Sequence, residues 1–186
     1  MIGYAITGSF CTINKSIAML KNLKEKGMDI IPIMSENAFN TSTRFGDAKY
    51  FRELVEKITG KAIINNIIEA EPLGPQYSLD AMVICPCTGN TLAKIANGIT
   101  DTAVCMAAKA HLRNDKPLII ALASNDALSG NLKNIATLLN RKNVYFVPMV
   151  QDDEINKPHS LVADFLLLEK TINCALEGKQ YRKLFI

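Results

Sequence analysis

These 186 residues contain no tryptophan, two histidines and no CxxC pair, and no uncharged apolar run reaches the 18 or so residues that a bilayer span needs. Each absence removes a class of function. The five cysteines (Cys11, Cys85, Cys87, Cys105, Cys174) are odd in number and lack metal-ligand spacing, so neither a disulfide framework nor a zinc site is expected. They read as reduced thiols. The first turn has no GxGxxG, which argues against a dinucleotide bound there. Net charge is only +3, with lysine and arginine spread along the helices and no basic stripe, so nucleic acid is not an expected partner. The opening MIGYAITGSF starts on a strand without a basic leader, and a cytoplasmic location is expected.

What is present is an alternation. Apolar β-type runs at Ile2 to Thr7, Asp29 to Met34, Ala81 to Cys85, Leu118 to Ala123 and Val144 to Val147 are separated by stretches with apolar residues at helical spacing. Helices are expected over 13–23, 47–59, 92–99, 100–112, 128–140 and 161–176. Pro32 marks its strand as an edge or irregularly paired one, and Pro86 is expected to end the third strand. Residues 37–46 read as a long polar loop, 71–75 as a turn and 151–159 as a charged connection. The pattern predicts one α/β domain over residues 1–186 built on a Rossmann-like, doubly wound parallel sheet, with 151–186 a C-terminal helix and tail. The tail, GKQYRKLFI, is expected either to dock on a neighbouring subunit or to fray.

In such sheets ligands lie beyond the carboxyl ends of the strands, where strand order reverses. Four strand ends here are small or hydroxylated: Gly8-Ser9, Ser35, Pro86 to Thr91, and Ser124-Asn125. Gly8 lets backbone approach a phosphate, and Ser9 and Thr12 add hydroxyls at a helix start, although a turn glycine with a capping residue reads equally well. Thr88 or Asn90 serves as an N-cap, or presents its polar group to a ligand. Arg44, in the polar loop beside Phe45, is either a solvated side chain or a clamp for a carboxylate or phosphate. His111, late in a helix, reads as a partner of the helix dipole, and His159 as solvated. A phosphate-bearing ligand is the sharpest inference from the residues themselves.

The Gly-Ser turn, the serine ending the second strand and the loop Pro86-Cys87-Thr88-Gly89-Asn90-Thr91 running into LAKIANGI resemble the flavoprotein family. That family includes flavin-containing cysteine decarboxylases and flavin prenyltransferases. Further blocks, TSTRFGDA (41–48), EPLGP (71–75), SNDALSGN (124–131) and KNVYFVPMVQDD (142–153), are similar to one branch, the flavoprotein-like subunit of a two-subunit oxidoreductase of spore-forming bacteria. The resemblance implies FMN, with its phosphate near Gly8, Ser9 and Ser35 and its ring system near Phe10, Cys87, Thr88 and Asn90, and Pro86 and Thr91 are implied cofactor-binding positions as well. Ser124 and Asn125 border flavin or substrate, and Asn125 and Arg44 are the implied catalytic positions, Arg44 holding a substrate carboxylate. Thr41 and Thr43 stand beside it. The branch further implies a small dicarboxylate substrate, NAD(P) on the partner subunit, and a homo-oligomer. No metal is implied. Two departures stand out: Ala123 to Leu128 replaces the decarboxylases' PxMNxxM block, and residues 37–46 hold no histidine. Both speak against oxidative decarboxylation, leaving as alternatives a stand-alone flavin enzyme or a non-catalytic partner subunit.

Overall fold

The computed structural model describes residues 1–74, 76–181 and 183–186. In chain order it consists of β1 (Ile2–Ile6), a 3-10 turn at Phe10–Thr12 leading into α1 (Ile13–Glu25), β2 (Ile30–Met34), α2 (Glu36–Asn40), α3 (Ala48–Thr59) and α4 (Ile67–Ala70). Then come β3 (Ala81–Cys87), α5 (Gly89–Ala96), α6 (Ala103–Leu112), β4 (Leu118–Ser124), α7 (Leu132–Leu139), β5 (Val144–Phe146), β6 (Met149–Val150), β7 (Leu161–Ala163) and α8 (Leu168–Leu176).

The sheet runs β2-β1-β3-β4, all parallel, and β4 then has two partners on its far side. Leu118 to Ile120 pair in parallel with β5, whereas Ala123 and Ser124 pair antiparallel with β7, which in turn carries β6. The expected all-parallel sheet is therefore a largely parallel mixed one. Residue alternation sorts the core into two layers. Tyr4, Ile6, Val83 and Ile119 face α1, α3 and α8, while Ala5, Met82, Ile84 and Ile120 face α5, α6 and α7. Every residue of β4 is buried, as a central strand covered on both faces should be. Pro32 does lie in an edge strand, where its missing N–H breaks no ladder.

Several expectations are corrected. Pro86 does not end β3: the Cys85–Pro86 bond is cis, and the strand continues to Cys87 after a register shift. Residues 36–40 form α2 inside the stretch read as loop, because Ser35 caps it by accepting from the Ala38 N–H. Residues 71–73 make a 3-10 turn, while Pro75 lies outside the described residues. Leu161 begins a strand instead of a helix, and α8 starts only at Leu168. Leu128 to Asn131 are turn, so α7 starts at Leu132. The tail lies on its own chain: Met149 N–H donates to Leu184 O at 2.8 Å and Ile186 N–H to Met149 O at 3.1 Å. Arg182 of that tail lies outside the described residues.

One buried hydroxyl joins the two central strand ends. Thr7 Oγ donates to Pro86 O at 2.7 Å and accepts from Thr88 N–H at 2.9 Å. Thr7→Val keeps the shape but removes both bonds, leaving the Thr88 N–H without its partner. Denaturant unfolding should show a loss of about 1–3 kcal/mol, with Thr7→Ser close to the parent.

His111 does lie in the last turn of α6, as expected, but it has a carbonyl partner of its own. It is buried and its Nε2 lies 2.9 Å from Pro117 O, which makes it the donor there. Burial holds its pKa below the usual 6.5, outweighing the carbonyl that favours the cation. The folded chain thus resists a proton that the unfolded chain accepts, so stability is flat above pH 6.5 and falls as pH drops below it. Urea midpoints at pH 7.5 and 5.5 should differ more in the parent than in His111→Gln.

Candidate functional site

The strand order reverses between β1, which continues to β2, and β3, which continues to β4. A cleft of about 790 Å³ opens there at the carboxyl ends, and a second hollow of about 400 Å³ adjoins it. Both are lined by Gly8, Thr88 and Asn90, so they form one elongated site. The larger arm adds Ser9, Phe10, Arg44, Phe45, Ser124 and Asn125; the smaller adds Ser35, Asn37 and Thr91.

Local chemistry fixes these positions. Thr88 caps α5 by accepting from Thr91 N–H, and its hydroxyl contacts Thr91 Oγ at 3.1 Å. Asn90, on the first turn of α5, is left exposed to both arms. Ser9 Oγ accepts from Thr12 Oγ at 3.0 Å, so the Thr12 hydroxyl is spent within the turn while the Ser9 hydrogen is available to a ligand. Ser35 likewise accepts from backbone and keeps its own hydrogen. Arg44 lies over the Phe45 ring, its guanidinium carbon 4.9 Å from the ring centroid, in a turn closed by the Thr43–Gly46 bridge.

Gly89 is where α5 meets β4. A Cβ there would sit 2.4 Å from Ser124 Oγ, 2.6 Å from Asn131 Nδ2 and 2.9 Å from Asp126 Oδ1. Asp126, which the sequence reading left among generic strand-end residues, accepts from the Ser124 hydroxyl and from Asn131 Nδ2 at 3.0 and 2.9 Å. The Ser124 bond, more than burial opposes it, holds the Asp126 carboxyl below its usual range, with Asn131 adding to the effect.

Ten of the twelve expected positions line the two arms; Pro86 and Cys87 do not. Both are buried within β3, and among the described residues Cys87 Sγ has only the Thr88 carbonyl, at 3.6 Å, as hydrogen-bond partner. Burial, then Cys105 and Cys85, pushes the Cys87 thiol up, overriding any lowering by the start of α5. Cys87 is a packing residue. Thr41 and Thr43 line neither arm.

The sequence reading missed Asp152, Lys157 and Ser160, which line the larger arm. They come from the charged connection, which is the loop of the β6–β7 hairpin; Asp152 and Lys157 pair at 3.0 Å. Only the antiparallel pairing of β7 with the end of β4 brings that loop over the cleft. A short strand followed by DDEINKP was the available signal. Among the described residues no cluster of histidine, cysteine or carboxylate suits a metal, and no helix is long and apolar enough to cross a membrane.

Comparison with known proteins places this geometry. A family model described as Flavoprotein matches residues 1–165. The chain is 41% identical over 185 residues to the dipicolinate synthase B subunit of Bacillus subtilis, spanning 100% of this chain and 92% of that protein. The crystal structure of the dipicolinate synthase B subunit from Bacillus halodurans superposes with a TM-score of 0.91 at 41% identity, covering 100% and 95% of the two chains. Flavin prenyltransferase UbiX of Archaeoglobus fulgidus is 28% identical over 173 residues, 89% of this chain and 93% of that one. A UbiX structure in complex with FMN and dimethylallyl pyrophosphate shares the fold, with a TM-score of 0.67 at 23% identity over 79% and 76% of the chains.

Gly89→Ala should force apart the contact of α5 with Ser124, Asn131 and Asp126. A loss of about 1–3 kcal/mol in denaturant unfolding is expected, whereas Gly8→Ala, whose Cβ would meet nothing nearer than 3.5 Å, should leave stability near the parent.

Proposed function

Because the chain belongs to the flavoprotein family and is a homologue of the dipicolinate synthase B subunit, we propose that it binds FMN and acts with the dipicolinate synthase A subunit, which carries NAD(P). Together they oxidise a cyclic dihydrodipicolinate-type dicarboxylate to dipicolinate, in the cytoplasm of a sporulating cell. The observation that carries the reading is the two-armed site with Asn90 in both arms. The volume of each arm lies in the range of small-molecule sites. The donors also differ in the right sense. The smaller arm offers Ser35, Asn37 and Thr91 to a phosphate, beside Glu36 and the Lys94–Asp101 pair; the larger sets Phe10, Phe45 and Val162 among many polar side chains, so a flat ring meets apolar faces and polar edges there.

In this reading the backbone at Gly8, which lines both arms, and the Ser35 hydroxyl hold the phosphate beside helix N-termini, where an anion is favoured, and the Ser9 hydroxyl reaches it from the larger arm. Phe10, Thr88 and Asn90 seat the ring system. A bound flavin supplies a two-electron acceptor. Arg44 fixes a substrate carboxylate with its planar fork, and Asn125 at the end of β4 orients the substrate ring. The near-complete coverage of both dipicolinate synthase relatives supports this assignment over a stand-alone decarboxylase. Ile68 and Leu166, 82% and 78% exposed, suit burial against the partner subunit or a second copy of this chain.

Purified protein titrated with FMN should show flavin bands that shift on binding and quenched fluorescence. Asn90→Ala should weaken binding about tenfold, near 1.4 kcal/mol. Unchanged affinity in that variant would remove the site assignment. With the partner subunit, substrate and NADP present, omission of this chain should abolish the ultraviolet absorbance of the aromatic product; product formed without it would leave the chain a non-catalytic partner.

A further inference from the structure

Ser124 closes the floor of the larger arm at the end of β4, and its hydroxyl hydrogen is already committed. Oγ–H donates to Asp126 Oδ1, and the carboxylate receives Asn131 Nδ2 on both oxygens. An ionised carboxylate only accepts, so Asn131 must turn its amide nitrogen toward it and its Oδ1 away. That oxygen then accepts from Asn134 Nδ2 at 2.8 Å, and Asn134 Oδ1 faces Asn97 Nδ2 at 3.5 Å. One charge therefore sets the direction of the bonds from Asn134 to the cleft floor, and Asn97, whose Nδ2 also donates to Ala93 O at 2.7 Å, is oriented in the same sense. Asn131, Asn134 and Ser124 are 7%, 6% and 8% exposed, so water cannot readily reverse the chain. Gly89, lacking a side chain, leaves room beside Ser124 Oγ.

The consequence is chemical. A free serine hydroxyl donates or accepts as its ligand requires; this one has only lone pairs left for the cleft. We infer that Ser124, held by Asp126, is a specificity-determining acceptor for a ring N–H of the substrate. The inference rests on the dicarboxylate reading above and adds a tautomer to it: the site selects a partly reduced ring bearing N–H. It disfavours the aromatic product, whose ring nitrogen is itself an acceptor and would set lone pair against lone pair. Ser124 touches the ligand; Asp126, which also lines the larger arm but spends its carboxylate oxygens on Ser124 and Asn131, is a positioning residue acting through it.

Two rings of equal shape separate the possibilities: pyrrole-2,5-dicarboxylate presents N–H where furan-2,5-dicarboxylate presents an oxygen lone pair. Calorimetric titration of the full chain saturated with FMN should find the pyrrole bound about tenfold more tightly. In Ser124→Ala the ratio should fall to about one. Asp126→Asn should collapse it too, because an amide nitrogen turned to Ser124 frees the hydroxyl to donate; a merely structural role for Asp126 would weaken both rings alike and keep the ratio. Equal affinities in the parent, or a preference that survives Ser124→Ala, would overturn the acceptor assignment while dicarboxylate binding stood. Failure of both rings to bind would overturn the assignment and the dicarboxylate reading together.

Discussion

The site exists because the ends of β1 and β3 are tied together by the side chain of Thr7. Parallel strands diverge beyond their last ladder bonds, and at a reversal of strand order their connections leave in different directions. The Thr7 hydroxyl spans that divergence, donating to Pro86 O and accepting from Thr88 N–H. Thr7 N–H also donates to Pro86 O at 3.2 Å, so the two backbones are joined at both groups of one residue. Gly8 and Ser9 follow directly on one side and the Thr88 cap on the other. The two loops that would cradle a ligand are thus set relative to each other by a hydroxyl at 1% exposure.

The other walls are hung on this frame. Ser35 ends β2 and caps α2, which brings Asn37 to the smaller arm. Arg52, whose guanidinium donates to Phe39 O and stacks over the Phe39 ring at 4.6 Å, fastens α3 to the end of α2 and so steadies the turn that carries Arg44. On the far side, the antiparallel pairing of Ser124 with Leu161 takes the hairpin loop across the cleft mouth. Asn156 N–H and side chain both bond to Asp153, which gives that loop its own internal order. The exposed Asp152–Lys157 pair adds little stability by itself. What it contributes is placement of one charge of each sign at the rim.

Much of this arrangement was legible in the sequence because it is local. The five parallel strands are short apolar runs, four of which end in small polar residues, and the rule for open α/β sheets brings those ends to one edge. Gly8, Ser9, Ser35, Thr88, Asn90 and Ser124 follow from that alone. The misreadings share a physical cause. Leu161 to Ala163 is apolar enough for either period, and only its pairing with Ala123 and Ser124 makes it a strand. Pro86 ends strands on average, yet here β3 absorbs it by a register shift, which no local signal announces. Cys87 is adjacent to the ligand loop in sequence but points to the opposite side of the strand end, into the layer containing Leu92, Val104 and Cys105.

The burial of the thiols bears on the chemistry. Cys85, beside Tyr4 and Ser16, is pushed up to about 12 by burial, and burial raises Cys87 and Cys105 as well. A thiol in that state neither attacks nor cycles readily with a partner. These three cysteines fill space on the two faces of the sheet, Cys85 in one layer and Cys87 and Cys105 in the other. In the proposed function, removing two electrons from a ring requires an acceptor brought to the cleft, and the residues gathered there are of the kind that bind and orient: hydroxyls with a free hydrogen at Ser9 and Ser35, an exposed amide at Asn90, a planar cation at Arg44 and an acceptor at Ser124. Such a set performs no redox step unaided. In the proposed function its role is to hold a flat acceptor and a flat anion in one register, the division of labour expected where cofactor and partner subunit carry the electrons and this chain supplies the geometry.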